Sequence, residues 1–133
     1  MKKELDQKLI DKAPYMFVLM DKEKTLRENN CFFPIAYGVE CGDGWFNILE
    51  KLIDDIVALD IDKEVILFQI KEKFGGLRFY IYSHPKNEQI GNKIYTLIND
   101  AAAKSFTTCE ICGAPGKRNK TGWLSTLCEE HRR

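Results

Sequence analysis

The sequence predicts an α+β protein in which helices pack on a small antiparallel sheet and a metal-binding module follows. Two long stretches have apolar residues at helical spacing, and two strand-like stretches lie between them, separated by a double glycine. Paired cysteines at the spacing of zinc ligands come last. We therefore expect an α+β body over residues 1–106 and a zinc-binding module over residues 107–133, packed together as a single domain.

The first forty residues have weaker patterns. Residues 2–12 place three apolar residues on one side of a predicted short helix. The apolar run Tyr15–Met20 is too short to assign as strand or helix, and the polar segment Asp21–Asn30 is predicted to be a surface turn. Cys31–Tyr37 is predicted to be extended, because Pro34 disfavours helix at the residue before it.

The strongest helix pattern follows the turn Gly42-Asp43-Gly44. Asp43 is a suitable N-cap for this helix, which we expect to end near Leu59–Asp60. Its apolar residues recur at a spacing of three to four, as on one helix face. They are Trp45, Ile48, Leu49, Leu52, Ile53, Ile56 and Val57.

A hairpin and a second long helix complete the predicted body. Glu64–Ile70 is β-branched and aromatic, which is typical of a central strand, and Leu77–Ser83 is predicted to return antiparallel to it. Residues 71–76 contain the turn. Residues 87–105 form the second amphipathic helix. Its predicted inward residues are Ile90, Ile94, Leu97, Ile98, Ala101 and Ala102.

Composition and charge restrict the class of protein. The longest apolar run has six residues, which is too short for a membrane span or a secretory signal, so we expect a cytoplasmic protein. We also expect it to be a monomer. The net charge is zero but uneven: residues 40–64 have eight acidic and two basic side chains, whereas residues 71–133 have six acidic and eleven basic. One end of the molecule is therefore expected to be acidic and the other basic.

The C-terminal cysteines have the spacing of a complete zinc site. The predicted ligands are Cys109, Cys112, Cys128 and His131. Four protein ligands leave no position for water, so the zinc is expected to be structural rather than catalytic. Gly113 permits the positive φ of a zinc knuckle, and the segment resembles a treble-clef or zinc-ribbon module. Cys31 and Cys41 are predicted to be ordinary thiols.

The hairpin allows two interpretations. Lys73 and Arg78 could bind phosphates while Tyr80 or Phe79 stacks on a base. Alternatively, the aromatic residues alternate into the core of a hairpin with no ligand. Its glycines do not match a phosphate-binding loop, which requires Lys and Ser or Thr directly after the glycine-rich loop.

Acidic residues of the first long helix and its exit form a candidate docking surface for a basic partner. They are Glu50, Asp54, Asp55, Asp60, Asp62 and Glu64. Inhibitors of nucleic-acid enzymes often use carboxylates in this way, because basic clefts attract them over long distances. A solvated helix face without a partner is the alternative interpretation. No second acid, histidine or serine stands near Asp43 at a spacing that would make it catalytic.

Three motifs together resemble a group of small proteins from phages and prophages. They are Glu40–Trp45, Lys71–Tyr80 and the cysteine segment Cys109–His131, and they span roughly residues 35–131. The chain is also similar to a class of zinc-containing anti-CRISPR proteins that inhibit the RNA-guided nuclease of type II systems. This second similarity depends on size, the metal motif and the ratio of 15 lysines to 5 arginines. Neither resemblance implies catalytic residues.

Three functional hypotheses follow. The first, implied by the resemblance, is a non-enzymatic inhibitor that binds a CRISPR effector nuclease in the bacterial cytoplasm and blocks nucleic acid loading or cleavage. The second is a nucleic-acid-binding module that uses the basic hairpin and the basic C-terminal half. The third is a small nucleotide-acting enzyme, which would need a cleft around Asp43, Lys73 and Arg78.

Overall fold

The architecture is α+β, as predicted. A computed structural model of the chain describes residues 1–29 and 33–132. The α-helices are α1 (Lys3–Lys12), α2 (Lys22–Asn29), α3 (Phe46–Leu59) and α4 (Glu88–Ser105). The strands are β1 (Val39–Glu40), β2 (Ile66–Lys73), β3 (Gly76–Ser83), β4 (Lys117–Arg118) and β5 (Thr126–Leu127). Short 3₁₀ helices cover Pro14–Met20, Pro34–Tyr37, Asp43–Trp45 and Glu130–Arg132.

The main sheet has three strands in the order β1-β2-β3. The predicted antiparallel hairpin of β2 and β3 is confirmed, although β2 extends to Lys73 and the turn is correspondingly short. The sheet is mixed, because the two-residue strand β1 pairs parallel to β2. In this pairing Val39 lies beside Ile70 and Glu40 beside Lys71.

The two faces of the hairpin differ sharply in chemistry, because side chains alternate along a strand. Ile70 lies opposite Phe79 and Leu67 opposite Ile81, and this inner face joins the core. Leu67 and Ile70 share a face although they are three residues apart, because a register shift between Leu67 and Gln69 interrupts the alternation. The other face, which we call the basic face, consists of residues that alternate with these. They are Gln69, Lys71, Lys73, Arg78, Tyr80 and Tyr82.

The core lies between the inner face of the hairpin and the two long helices. α3 packs against α4, and α4 packs against β3. The predicted apolar stripe of α3 is confirmed from Trp45 to Ile56, all of it buried, whereas Val57 is exposed. In α4, Ile94, Ile98 and Ala101 are buried, and Asn87 caps the helix by accepting a hydrogen bond from the N–H of Ile90.

The predicted surface turn over Asp21–Asn30 is wrong, because residues 22–29 form α2. The carboxylate of Asp21 accepts a hydrogen bond from the N–H of Lys24 at 2.9 Å, which is the geometry of a helix N-cap. The extended conformation predicted before Pro34 is confirmed at Phe33, but Pro34–Tyr37 is 3₁₀ rather than extended. The remainder of that prediction, including Cys31, lies outside the described residues.

Asp43 has a different role from the one predicted. No side chain caps α3, which continues directly from the 3₁₀ turn Asp43–Trp45. The Asp43 carboxylate instead accepts a hydrogen bond from the N–H of Lys2 at 2.9 Å. Lys2 is the residue that precedes α1, so Asp43 fastens the start of the first helix to the turn before the third.

Asp60 is a buried structural residue, and its assignment to an exposed acidic surface is wrong. Only 3% of Asp60 is exposed. Its carboxylate accepts hydrogen bonds from the N–H groups of Glu64 and Val65, both at 2.9 Å, and from the Tyr15 hydroxyl at 2.7 Å. Burial and this last hydrogen bond raise the pKa of Tyr15. Asp60 therefore closes the loop from α3 to β2 over the N-terminal segment.

We predict that Asp60→Ala lowers the free energy of unfolding by about 3 kcal/mol, because it leaves three donors without their acceptor. Asp62→Ala is the matched control, since Asp62 is exposed in the same loop, and it should change stability by less than about 0.5 kcal/mol. Urea denaturation of both variants measures the difference. Equal stability of the two variants would contradict the structural role of Asp60.

Candidate functional site

The four predicted metal ligands lie together. Their ligand atoms all fall within 4.8 Å of one another, in the part of the chain that the structure describes. The sulfurs of Cys112 and Cys128 are 3.7 Å apart, and the Nδ1 atom of His131 lies 3.6 Å from the Cys109 sulfur and 3.2 Å from that of Cys128. Tetrahedral zinc would separate two sulfurs by about 3.8 Å and a sulfur and nitrogen by about 3.5 Å. The cluster therefore fits a four-coordinate ion.

Local backbone structure holds the first cysteine pair in a knuckle. The N–H of Gly113 donates to the carbonyl of Cys109 at 2.9 Å, and Gly113 has the predicted positive φ, +83°. Burial raises the pKa of the Cys109 thiol, but hydrogen bonds from the N–H groups of Cys128, Cys112 and Ile111 outweigh it and lower the value to about 6. The knuckle thus favours the thiolate that a metal requires.

The second ligand pair follows a short hairpin. β4 and β5 pair antiparallel, and the chain then turns so that the N–H of His131 donates to the carbonyl of Cys128 at 3.2 Å. Thr126 and Leu127 form β5, so the helical turn that carries His131 begins after them. The 3₁₀ turn Glu130–Arg132 nevertheless brings His131 to the same side as Cys128.

The metal module, which we define as residues 107–132, attaches to the body at the turn Gly42–Trp45. The N–H of Gly44 donates to the carbonyl of Glu110 at 2.7 Å, and the N–H of Gly42 donates to the Glu110 carboxylate at 2.8 Å. The indole N–H of buried Trp45 donates to the carbonyl of Thr108 at 2.9 Å. A side chain at Gly44 would overlap the carbonyl oxygen of the ligand Cys109, so only glycine permits this approach.

A second attachment joins the module to the tip of the β2–β3 hairpin. The Thr126 hydroxyl donates to the carbonyl of Gly75 at 2.6 Å in a buried hydrogen bond, and the Arg118 guanidinium donates to the carbonyl of Phe74 at 3.3 Å. The ring of Phe106 lies directly against Gly76. The three motifs of the resemblance therefore contact one another, because two turns of the body both pack against the metal module.

The acidic surface is smaller and more neutral than predicted. Asp54 and Glu50 lie 3.1 Å and 3.6 Å from the ammonium group of Lys12, and Asp55 lies 2.6 Å from that of Lys51. Glu64 accepts a hydrogen bond from the backbone of Lys86 and is half-buried. Neither Asp62 nor Glu64 lies in a salt bridge within the described residues, and Asp62 is the exposed one of the two.

The basic residues of the hairpin lie together. Lys73 and Arg78 share the basic face with Tyr80, which is 41% exposed, whereas Phe79 is buried on the inner face and could not stack on a base. Sequence reasoning missed Tyr82, which is 58% exposed on the same face, although strand alternation from Tyr80 indicates it. It also did not predict the exposure of Trp123, which is 86% exposed in a loop.

A cleft also lies between α3, α4 and the knuckle. Its volume is about 500 Å³, and its lining includes Ile48, Leu52, Leu97 and Ala101. None of the residues around which an enzyme cleft was expected (Asp43, Lys73 and Arg78) lines it.

Comparison of the chain with protein-family models, curated proteins and solved structures gives no match. The resemblance to phage proteins and the nuclease-inhibitor hypothesis therefore stay predictions. Within residues 1–29 and 33–132, none of the helices has the length and apolar character that crossing a membrane requires.

We predict that Gly44→Ala lowers the free energy of unfolding by about 3 kcal/mol, because the added methyl group must displace the knuckle backbone. Gly91→Ala is the control. It adds the same methyl group near the start of α4, where the nearest atom is 3.8 Å away, and should be neutral or stabilising by up to about 1 kcal/mol. Thermal denaturation of both variants measures this, and a Gly44→Ala protein as stable as Gly91→Ala would contradict the tight docking.

Proposed function

We propose that this chain is a non-catalytic, zinc-stabilised protein that binds single-stranded nucleic acid on its basic face. The observation that carries the proposal is the combination of cationic and exposed aromatic side chains on one side of the hairpin, with the core on the other. Three thiolates and one imidazole in tetrahedral geometry are typical of structural zinc. In this proposal the zinc stabilises the fold, and the basic face of the sheet binds the nucleic acid.

The charge of the basic face supports an anionic partner. Lys71 and Arg78 lie opposite each other across the hairpin, and Lys73 continues the row towards the tip. None of the three lies in a salt bridge within the described residues. The acidic neighbours in the sheet are Glu40, beside Lys71, and Glu72, which pairs with Leu77 and accepts a hydrogen bond from the N–H of Gly75. The guanidinium Nε of Arg78 is buried without a hydrogen-bond partner in the described part of the chain.

The aromatic residues support a single strand rather than a duplex. Tyr80 and Tyr82 are two residues apart on β3, which separates their Cα atoms by about 7 Å along the strand. Unpaired bases can stack on Tyr80 and on the exposed part of Tyr82, whose ring also packs edge-on against Phe33 at 5.1 Å between ring centres. The backbone phosphates then meet the lysines, and stacking tolerates any base. Duplex bases are stacked on one another and cannot use the rings. This geometry favours the nucleic-acid hypothesis over the acidic-inhibitor hypothesis.

We predict that Tyr80→Ala weakens binding of a fluorescent single-stranded oligonucleotide about ten-fold, because one stacking contact is lost.

Lys73→Ala should reduce the slope of log K against log salt by about 0.7, as expected for one phosphate contact. Fluorescence anisotropy at several salt concentrations measures both.

The matched control is Tyr95→Ala, which removes a tyrosine of similar exposure (45%) from α4 and should leave binding unchanged. Absence of binding by the unmodified protein at low salt, or equal effects of Tyr80→Ala and Tyr95→Ala, would overturn the proposed function.

A further inference from the structure

The most exposed large apolar side chain among the described residues is Trp123. It lies in the loop between β4 and β5, whereas the other tryptophan of the chain, Trp45, is completely buried. A tryptophan at 86% exposure contributes almost nothing to the core. Its ring therefore has no role in the packing described above, and it is available to a ligand.

The loop that presents Trp123 is held by one side chain. The Asn119 amide donates to the carbonyls of Thr121 at 3.1 Å and Trp123 at 2.7 Å, and its oxygen accepts from the N–H of Ser125 at 2.8 Å. These three bonds fix the backbone on both sides of the ring. A preorganised aromatic residue loses little conformational entropy on binding.

The charge around the loop favours an anionic ligand. Lys117, Arg118 and Lys120 surround its first half, and no acidic residue occurs between Glu110 and Glu129. All three cationic residues are exposed. An exposed indole among cations suits stacking on a base that is flanked by phosphates.

The loop begins where the basic face ends. The Arg118 guanidinium lies 5.1 Å from the centre of the Phe106 ring, and that ring covers Gly76 at the hairpin tip. Thr126, paired with Arg118, donates to the carbonyl of Gly75. A single strand of nucleic acid that extends from the basic face beyond the hairpin tip would therefore contact Arg118 and reach the metal module.

We infer that the Trp123 loop is a second stacking element, which extends the nucleic-acid track from the sheet onto the metal module. The inference rests on the proposed function, since it concerns the same single strand. Short oligonucleotides should therefore bind to the basic face alone, and longer oligonucleotides should gain additional affinity from Trp123.

The test compares oligothymidylates of about 4 and about 16 nucleotides, which bracket the site sizes of small single-strand-binding domains. Trp123→Ala should weaken binding of the longer oligonucleotide about ten-fold and leave the shorter one unchanged, and Trp123→Phe should restore most of the loss. The longer oligonucleotide should also quench tryptophan emission of the unmodified protein, since Trp123 is the exposed tryptophan. Ile111→Ala is the control, because Ile111 is another exposed apolar residue of the module.

The outcomes separate the two proposals. If the longer oligonucleotide binds the unmodified protein and Trp123→Ala equally well, or if Trp123→Ala affects both lengths equally, the inference is overturned while the basic-face proposal stands. If neither oligonucleotide binds the unmodified protein, both proposals fail. Unchanged metal content and melting temperature of Trp123→Ala confirm that its fold is intact.

Discussion

The close approach of the metal module to two glycine-containing turns is the constraint on which the rest of the structure depends. At one turn the backbone of Gly44 meets that of Glu110, and at the other the Gly75 carbonyl accepts the buried hydrogen bond from Thr126. Both module residues are close in sequence to the ligands Cys109 and Cys128. A four-coordinate ion held by the clustered ligands would fix these segments relative to each other, and with them the two turns that they contact.

In this arrangement, the residues that stabilise the fold are different from those that are proposed to bind a ligand. The four clustered ligands would complete the coordination of a metal ion, and the helices cover the inner face of the hairpin. The cationic and aromatic side chains of the basic face and of the Trp123 loop therefore remain for binding. They meet at the hairpin tip, where Arg118 contacts Phe74. The metal module thus both stabilises the fold and extends the proposed binding surface.

The sequence was sufficient where the determinants are local. Cysteine spacing predicted the ligand cluster, and apolar spacing predicted α3 and α4. It failed where a polar side chain acts over a distance: Asp60 binds Tyr15, 45 residues away, and Asp43 binds the backbone of Lys2. An acidic residue at the end of a helix has the same local pattern whether it is solvated or buried. Contacts between backbone groups, such as Gly44 with Glu110, leave no periodic pattern at all.

The most direct test of the central claim is amide hydrogen exchange, measured by mass spectrometry on the zinc-loaded protein and again after chelation. Zinc removal should increase exchange in residues 107–132 and also in the body segments 42–45 and 74–77, because those turns lose their partners. Exchange in α2 should be unchanged. Faster exchange confined to the metal module, with both turns as protected as before, would contradict the account.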